Sequence, residues 1–427
     1  MGYVGLVQGA CLANLGHRVA CVDINEKKIE ALRKGEVPIF EPELSELIIE
    51  GLENSRLSFH TSQKEAIDTI EEPQLVYVAV WTPRNEDGSC DLSAIEAVSR
   101  ELGQLVDSSL FVIKSTVPPG TREQIQEWLQ NDGIRVAANP EFLRQGQSVS
   151  DFMNPDRILI GATSTKDVDL LRAIHDGIDA PVYVMSVESA QLAKYAANTF
   201  LASRLALINE VAHIADAVGA DIKDVEAVIG SDPRIGHRFL RAGAGFGGSC
   251  FPKDVLALAD VAAQKNVESL LIRPIIETND LQPLRFIKKF GDVSGLRIAV
   301  WGLAFNAGTD DVRESPALRI VQALLEGGAS VAVYDPQAQE NARVHLGNSV
   351  TYALSMMDAL RSADVLAVLT EWNEFTKAPW SEVKELLRTH HIYDGKNFLP
   401  REELEEYGFE LHGMGLCGKD QRRPHAS

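Results

Sequence analysis

The residues best placed to do chemistry lie in one stretch, Gly243 to Asp254, which reads GAGFGGSCFPKD. Four glycines lead into Ser249, Cys250, Phe251, Pro252, Lys253 and Asp254, and a helix-like run, VLALADVAAQKN, follows. Glycine admits backbone angles closed to other residues and lets a ligand approach the main chain. Pro252 suits the first turn of a helix, and Ser249 suits its cap. Cys250 then stands at a helix N-terminus with Lys253 three residues on. The positive helix end and the ammonium both favour the thiolate over the thiol. That combination describes a nucleophile. The ordinary alternative is a cysteine buried as a small hydrophobe in a glycine-rich loop; the flanking glycines, Lys253 and Asp254 outweigh it. Arg234, Arg238 and Arg241 precede the loop and, with Lys253, supply local positive charge for an anionic ligand.

The elements that must position these residues follow from the hydrophobic pattern. MGYVGLVQGACLANL places Gly2, Gly5 and Gly9 in an apolar, helix-like run that stops at Gly16. Val19 to Val22 reads as a short strand, and Asp23 follows it, 18 residues after Gly5. This pattern resembles the second half of a dinucleotide-binding βαβ unit. There the pyrophosphate rests on the helix N-terminus and an acidic residue ending the second strand takes the ribose hydroxyls. An aspartate favours NAD over NADP, because a 2′-phosphate would be repelled. Gly2 and Gly5 occupy the places of the second and third glycines. The opening strand and first glycine are therefore expected to be missing, and a chain starting here is expected to bind NAD weakly. Leu75 to Val80 and Leu110 to Ile113 read as buried strands, followed by Thr82 and Thr116. Open α/β sheets bind ligands at such strand ends.

Glu188 to Gly219 is the longest helical pattern, rich in Ala and Leu, without proline, and stopped by a glycine. Lys194 and Asn198 are four apart and share one face of it. A helix this long and apolar is expected to be buried on several sides. After Pro283 a second α/β pattern begins: strands at Leu296 to Trp301, Val331 to Tyr334, Ala363 to Leu369 and His391 to Asp394, with a helix over Thr309 to Gly328. Alternating strands and helices imply a parallel sheet. The tail GKDQRRPHAS reads as disordered.

The net charge of −20, from 41 basic and 61 acidic residues, argues against nucleic acid or an anionic membrane surface as partner. The five cysteines form no CxxC pair, so neither a zinc site nor a disulfide framework is expected, and no metal is. An odd cysteine count suits a reducing compartment. With no long apolar run and no leader pattern, the cytoplasm is the default expectation.

GGSCFPKD resembles the active-site signature of the UDP-glucose/GDP-mannose 6-dehydrogenase family. The likeness runs over nearly the whole chain, through GYVGL, VDIN, PIFEPELSELI (Pro38 to Ile48), NPEFLRQG (Asn139 to Gly146), KYAANTFLA, DPRIGHRFL and GTDDVRESPA. The resemblance implies an α/β protein with two Rossmann-like doubly wound domains joined by a long central helix. Residues 1–186 would bind NAD, 187–285 would form a helical dimerisation domain, 286–415 would hold the UDP-sugar, and 416–427 would be a disordered tail. By the same resemblance Cys250, Lys194, Asn198, Asp254, Thr116 and Glu141 are the catalytic set. The cofactor would meet Gly2, Tyr3, Val4, Gly5, Asp23, Lys28, Thr82, Thr116, Gln145, Lys253 and Arg313. The sugar nucleotide would meet Glu141, Phe142, Leu143, Lys194, Asn198, Phe239, Leu240, Arg241, Gly243, Gly247 and Asn306, with Arg234 reaching into the neighbouring subunit of a homodimer. Three positions depart from the family: Trp81 replaces a small or polar residue, Gln145 a glutamate and Asn306 a lysine.

What the resemblance implies chemically is oxidation of a nucleotide sugar's C6 alcohol to a carboxylate, with two NAD consumed per turnover. A thiolate captures the intermediate aldehyde as a thiohemiacetal, which gives up a second hydride to become a thioester that water cleaves. UDP-glucose is the first expectation for the substrate, and GDP-mannose or another nucleotide sugar the alternative. An inactive binding or scaffold homologue is the reading from a different class, raised by the absent strand, Gln145 and Asn306.

Overall fold

The computed structural model describes residues 1–70, 75–85 and 89–417. The chain divides into two compact units, Met1–Ala197 with Ala257–Glu268, and Asn198–Leu256 with the chain from Ser269 onward. No helix among the described residues is long and apolar enough to cross a membrane.

The first unit opens with the helix Tyr3–Asn14, and its strands fall in two sheets. β1 (Val19–Val22) and β2 (Leu57–His60) pair in parallel, Val19 opposite Leu57. β3 (Leu75–Val78), β4 (Ser109–Ile113), β5 (Ile134–Ala138), β6 (Ile158–Gly161) and β7 (Val182–Met185) form a five-stranded sheet in that order. All its pairs are parallel except β5 with β6. β4 is buried along its whole length, as a strand covered on both faces must be. Its residues alternate: Phe111 and Ile113 join Ile95, Leu102, Ile125 and Leu129 on one face, while Leu110 and Val112 join Ile160 and Leu171 on the other. With β3, β4 and β5 side by side and parallel, the loops carrying Thr82, Thr116 and Glu141 leave the sheet at one edge.

The helix Val187–Val218 runs 32 residues because nothing in it breaks the hydrogen-bond ladder; Gly219, at φ 72°, supplies the left-handed stop. The boundary between the units falls within it, after Ala197.

In the second unit β8 (Arg297–Trp301), β9 (Ser330–Tyr334), β10 (Thr351–Tyr352), β11 (Val365–Val368), β12 (His391–Asp394) and β13 (Glu410–Gly413) form one parallel sheet. Its order is β10-β9-β8-β11-β12-β13, the doubly wound arrangement with the chain reversing direction between β8 and β11. Val300 and Val333 face one core, and Ala299, Trp301 and Val368 face the other.

The helix expected from Thr309 begins at Pro316 instead. Asp311 turns the chain by accepting from the Arg313 N–H at 2.9 Å, Glu314 takes a left-handed φ of 50°, and Ser315 caps the helix. The tail expected to be disordered from 416 lies, from residue 418, outside the described residues. Cys417 is placed and buried, its Sγ 3.1 Å from Asp221.

Candidate active site

In the first unit the Glu141 loop is built on the end of β5. Glu141 and Lys194 are both buried and form an ion pair at 3.0 Å. The second carboxylate oxygen accepts from the Leu143 N–H at 2.6 Å. Burial alone would push the Glu141 carboxyl up; the Lys194 charge, the Leu143 N–H and the Lys114 charge together hold it below the ordinary carboxylate value. Phe142 lies under Lys194, whose Nζ is 5.1 Å from the ring centroid, and is flanked by Arg157 at 4.0 Å. Thr116 follows β4 and lines a small cleft with Pro140, Gln191 and Lys194. Thr82 is buried and donates its hydroxyl to the Thr116 carbonyl at 3.1 Å, so it acts on Thr116 through the backbone.

Three residues here carry a role the sequence did not reveal. Gln191, one turn before Lys194, is 3% exposed and faces the cleft, and neither atom of its amide has a hydrogen-bond partner among the described residues. Glu41, in the PIFEPELSELI segment, accepts from the Gly146 and Ser148 N–H groups at 2.8 and 2.7 Å and so anchors the far end of the Glu141 loop, where Gln145 sits half-buried. Lys114 is buried and donates to Asn139 Oδ1 at 3.1 Å; Asn139 in turn donates to the Leu159 carbonyl at 2.8 Å. A charged residue directly after the apolar run Leu110 to Ile113 was the available signal for Lys114.

Burial lowers the Lys114 ammonium from 10.5 to about 8; the Glu141 charge opposes the shift and the Lys194 charge adds to it. Between those two values the unfolded chain holds this proton and the folded chain does not, so stability rises with pH across that window. Thermal midpoints measured from neutral pH to pH ~10 should therefore show a rising component that Lys114→Met lacks. An unchanged slope in the variant would contradict the burial argument.

In the second unit Cys250 is exposed and caps the helix Phe251–Gln264: its carbonyl accepts the first intrahelical bond, from the Asp254 N–H at 2.8 Å. The cap falls on Cys250 itself rather than on the expected Ser249. Asp254 is 1% exposed and accepts from Asn198 Nδ2 and from Lys253 Nζ, both at 2.6 Å. Thus Asn198, Lys253 and Asp254 form one network at the helix start. Arg313 is near enough for its charge to act on Cys250. Burial works against its guanidinium, and two contacts to Asp311, at 2.6 and 2.9 Å, hold it charged. The glycines admit no side chain: a Cβ on Gly247 would lie 2.2 Å from the Glu314 carbonyl oxygen, and Gly248 adopts φ 85° against the Phe305 ring. Gly243 donates to Asn209 at 2.9 Å and accepts from Gln282 at 2.9 Å, and Phe246 is clamped by Asn279 in the same way. These buried amides are further supports that the sequence did not reveal.

Phe239 has a left-handed φ of 59°, rare for a bulky residue, and its ring lies 6.1 Å from that of Phe251. Leu240 is buried and Arg241 exposed. Arg234 projects into solvent, held by Asp232. Asn306 is half-buried and donates to the Ala307 carbonyl at 3.4 Å.

At the chain's start Gly2 caps the helix Tyr3–Asn14, its carbonyl accepting from Leu6 at 3.1 Å. The N–H groups of Tyr3, Val4 and Gly5 thus precede the first intrahelical bond, as an anion site requires. Among the described residues a Cβ on Gly2 would meet nothing within 4 Å, whereas one on Gly5 would touch Ala79 at 3.6 Å, so Gly2 faces open space and Gly5 permits close helix–strand packing. The Tyr3 hydroxyl accepts from the Gly146 N–H at 3.0 Å. Asp23 ends β1 and pairs with the Met1 amino group and, at 3.1 Å, with Lys28. Burial opposes its ionisation; these cations and the Asn25 N–H hold its carboxyl below the ordinary value. The residues therefore fit a dinucleotide: N–H groups for the pyrophosphate, Asp23 for ribose hydroxyls.

A dinucleotide half-site, a doubly wound second sheet and a cysteine-capped helix define the class, a nicotinamide-dependent α/β dehydrogenase. Residues 1–179 match the NAD binding domain of the UDP-glucose/GDP-mannose dehydrogenase family, 188–281 its central domain and 299–401 its UDP binding domain. A UDP-glucose 6-dehydrogenase of Bacillus subtilis is 40% identical over 97% of this chain and 91% of its own. One of Rickettsia conorii is 38% identical over 97% and 98%. A solved UDP-glucose dehydrogenase of the archaeon Pyrobaculum islandicum superposes with a TM-score of 0.89 at 36% identity, over 97% of this chain and 96% of that one. The chain belongs to the UDP-glucose/GDP-mannose dehydrogenase family, and its cofactor is NAD.

Proposed function

We propose that this enzyme oxidises UDP-glucose to UDP-glucuronate through a covalent intermediate on Cys250. The observation that carries the reading is Cys250 at a helix start, with Arg313 acting on it and the Asn198–Asp254–Lys253 network behind it. The UDP-glucose specificity rests on the named activities of the relatives. When bound, NAD accepts one hydride, so the change from alcohol to acid takes two.

The protein's part is binding, proton handling and capture. Thr116, with a water, helps remove the C6 hydroxyl proton. The Cys250 thiolate adds to the aldehyde carbonyl, where an alkoxide develops. Lys194 and Asn198, one helical turn apart, donate to that oxygen, and Asp254 holds the Asn198 amide in orientation. Loss of the second hydride from the same carbon leaves a thioester, and Glu141, ionised beside Lys194, assists the water that cleaves it. Lys253 and Arg313 serve the cofactor side, and Asn306, Phe239 to Arg241, Gly243 and Gly247 the sugar nucleotide. Wild-type protein given UDP-glucose should yield two NADH per acid formed and should use GDP-mannose far less well. Equal kcat/KM for the two sugars would reject the substrate assignment, and one NADH per sugar would reject the reaction.

The protein is further proposed to act as a homodimer. On the helix Val187–Val218, Phe200, Leu207, Ile214 and Val218 recur along one stripe and are 66, 62, 60 and 70% exposed. Fully burying such side chains is worth about 1.5–3 kcal/mol each, which favours covering the stripe with a partner. Arg234, exposed and held by Asp232, is the residue proposed to enter the partner's site. Mixing Arg234→Ala with Cys250→Ala protein under subunit exchange should recover part of the activity that each parent lacks; proven exchange without recovery counts against the shared site.

A further inference from the structure

We propose that His391, Glu410 and His412 form a binding site for a zinc-class divalent cation on the edge of the second unit's sheet. The fold builds it from sequence-distant residues. β13 is the edge strand, and its pairing with β12 sets His391 opposite Glu410 and Tyr393 opposite His412. Residues paired in register, or two apart along a strand, face the same side, so all four side chains share one face. His391 Nδ1 lies 3.0 Å from His412 Nε2 and 3.5 Å from Glu410 Oε2, and His412 Nε2 lies 3.6 Å from Glu410 Oε1. A zinc ion with bonds of about 2.1 Å separates its ligands by about 3.0 Å at a right angle and about 3.4 Å at the tetrahedral angle. The imidazole pair falls in that range, and the two carboxylate contacts, each to a different oxygen of the exposed Glu410, lie just beyond it.

The chemistry of the set agrees. Two imidazoles and a carboxylate are the ligands zinc prefers, with a further position left for water. The donors are pre-oriented: the His412 ring stacks on Tyr393 with centroids 4.7 Å apart, and Tyr393 stacks on Phe290 at 3.7 Å. Lys289, whose charge acts on His412, is itself neutralised by Asp216 at 2.9 Å. The Glu410 side chain is exposed, so an ion has a path in. The ordinary alternative is a hydrogen bond between the two rings with Glu410 as their counter-charge. A bound ion instead ties the edge strand to its neighbour across three side chains, and binding that favours the folded sheet raises its stability.

The test is a calorimetric titration of chelator-treated, full-length protein with zinc sulfate. Wild type should bind one zinc per chain that Glu410→Gln and His412→Gln bind at least about tenfold more weakly, while zinc captured by thiols stays the same in all three. Zinc should also raise the thermal midpoint of wild type and not of the variants. In unaltered protein, zinc should slow diethyl pyrocarbonate labelling of His391 and His412 but not of the exposed His345. Identical zinc stoichiometry and affinity in wild type and both variants overturns the proposal, as does undiminished labelling of both site histidines.

Discussion

Replacing Cys250 with alanine should cut acid formation at least about a thousandfold, equivalent to about 4 kcal/mol of barrier, and should lower the yield of NADH from two per sugar toward one. The reason is chemical rather than structural. The first oxidation leaves an aldehyde, and a carbonyl carbon has no hydride to give at that stage unless a nucleophile first makes it tetrahedral. Cys250 is exposed and caps a helix, and the glycine loop before it is fixed by Asn209, Asn279 and Gln282. The substitution therefore removes a sulfur without opening a cavity, and the variant should melt close to wild type. Serine keeps a hydroxyl but lacks the acidity of a thiol, so Cys250→Ser should fail at the same step. Near-normal turnover with two NADH per sugar in either variant would remove the covalent role.

Replacing Lys194 with methionine should be the second most damaging change, and it should act on both stability and rate. The ammonium pairs with Glu141 at 3.0 Å, with both side chains under 10% exposed. Breaking a buried pair by removing one partner costs about 3–5 kcal/mol, because the remaining charge is left in a poor solvent. Loss of an oxyanion donor adds a fall of roughly 10²–10³ in kcat. The pH dependence should reverse. In wild type the Glu141 carboxyl lies below its ordinary 4.5, so its contribution to stability is present above that value and is lost as pH falls through the lower folded one. Without Lys194 burial dominates and the carboxyl moves above 4.5. The variant should then be weakest at neutral pH and regain stability on acidification toward pH ~4.5, and adding Glu141→Gln should rescue its melting but not its activity. A Lys194→Met protein as stable as wild type at pH 7 and within tenfold of its rate would contradict both halves of the argument.

Much of this arrangement was legible in the residues. The apolar runs before Thr82 and Thr116 mark strand ends because buried parallel strands read as continuous hydrophobic segments. His391 to Asp394 is a strand with the expected limits, and the long helix ends at its glycine. The Cys250 helix start was legible because proline and the preceding glycines punctuate it. What was not legible depends on partners far away in sequence. Neither the Glu141–Lys194 pair nor the Asn198–Asp254 bond has a local signature, since each joins residues more than fifty positions apart. Glu41 was hidden for the same reason, because a carboxylate that holds backbone N–H groups looks in sequence like an ordinary surface charge, and Lys114 was marked only by its place after an apolar run. The helix start at Pro316 was misplaced because Asp311 and Glu314, both compatible with a helix by composition, are spent on a turn.

The covalent role of Cys250 is tested most directly by catching the acyl enzyme. Glu141→Gln should form the thioester but cleave it slowly, so UDP-glucose and excess NAD should give a burst of two NADH per active site followed by a slow phase. Acid quenching within the burst and intact mass measurement should find the chain heavier by one UDP-glucuronyl group, with peptide mapping placing that group on Cys250. A burst of two NADH with no added mass on the chain, or with the mass on any other residue, would contradict the account.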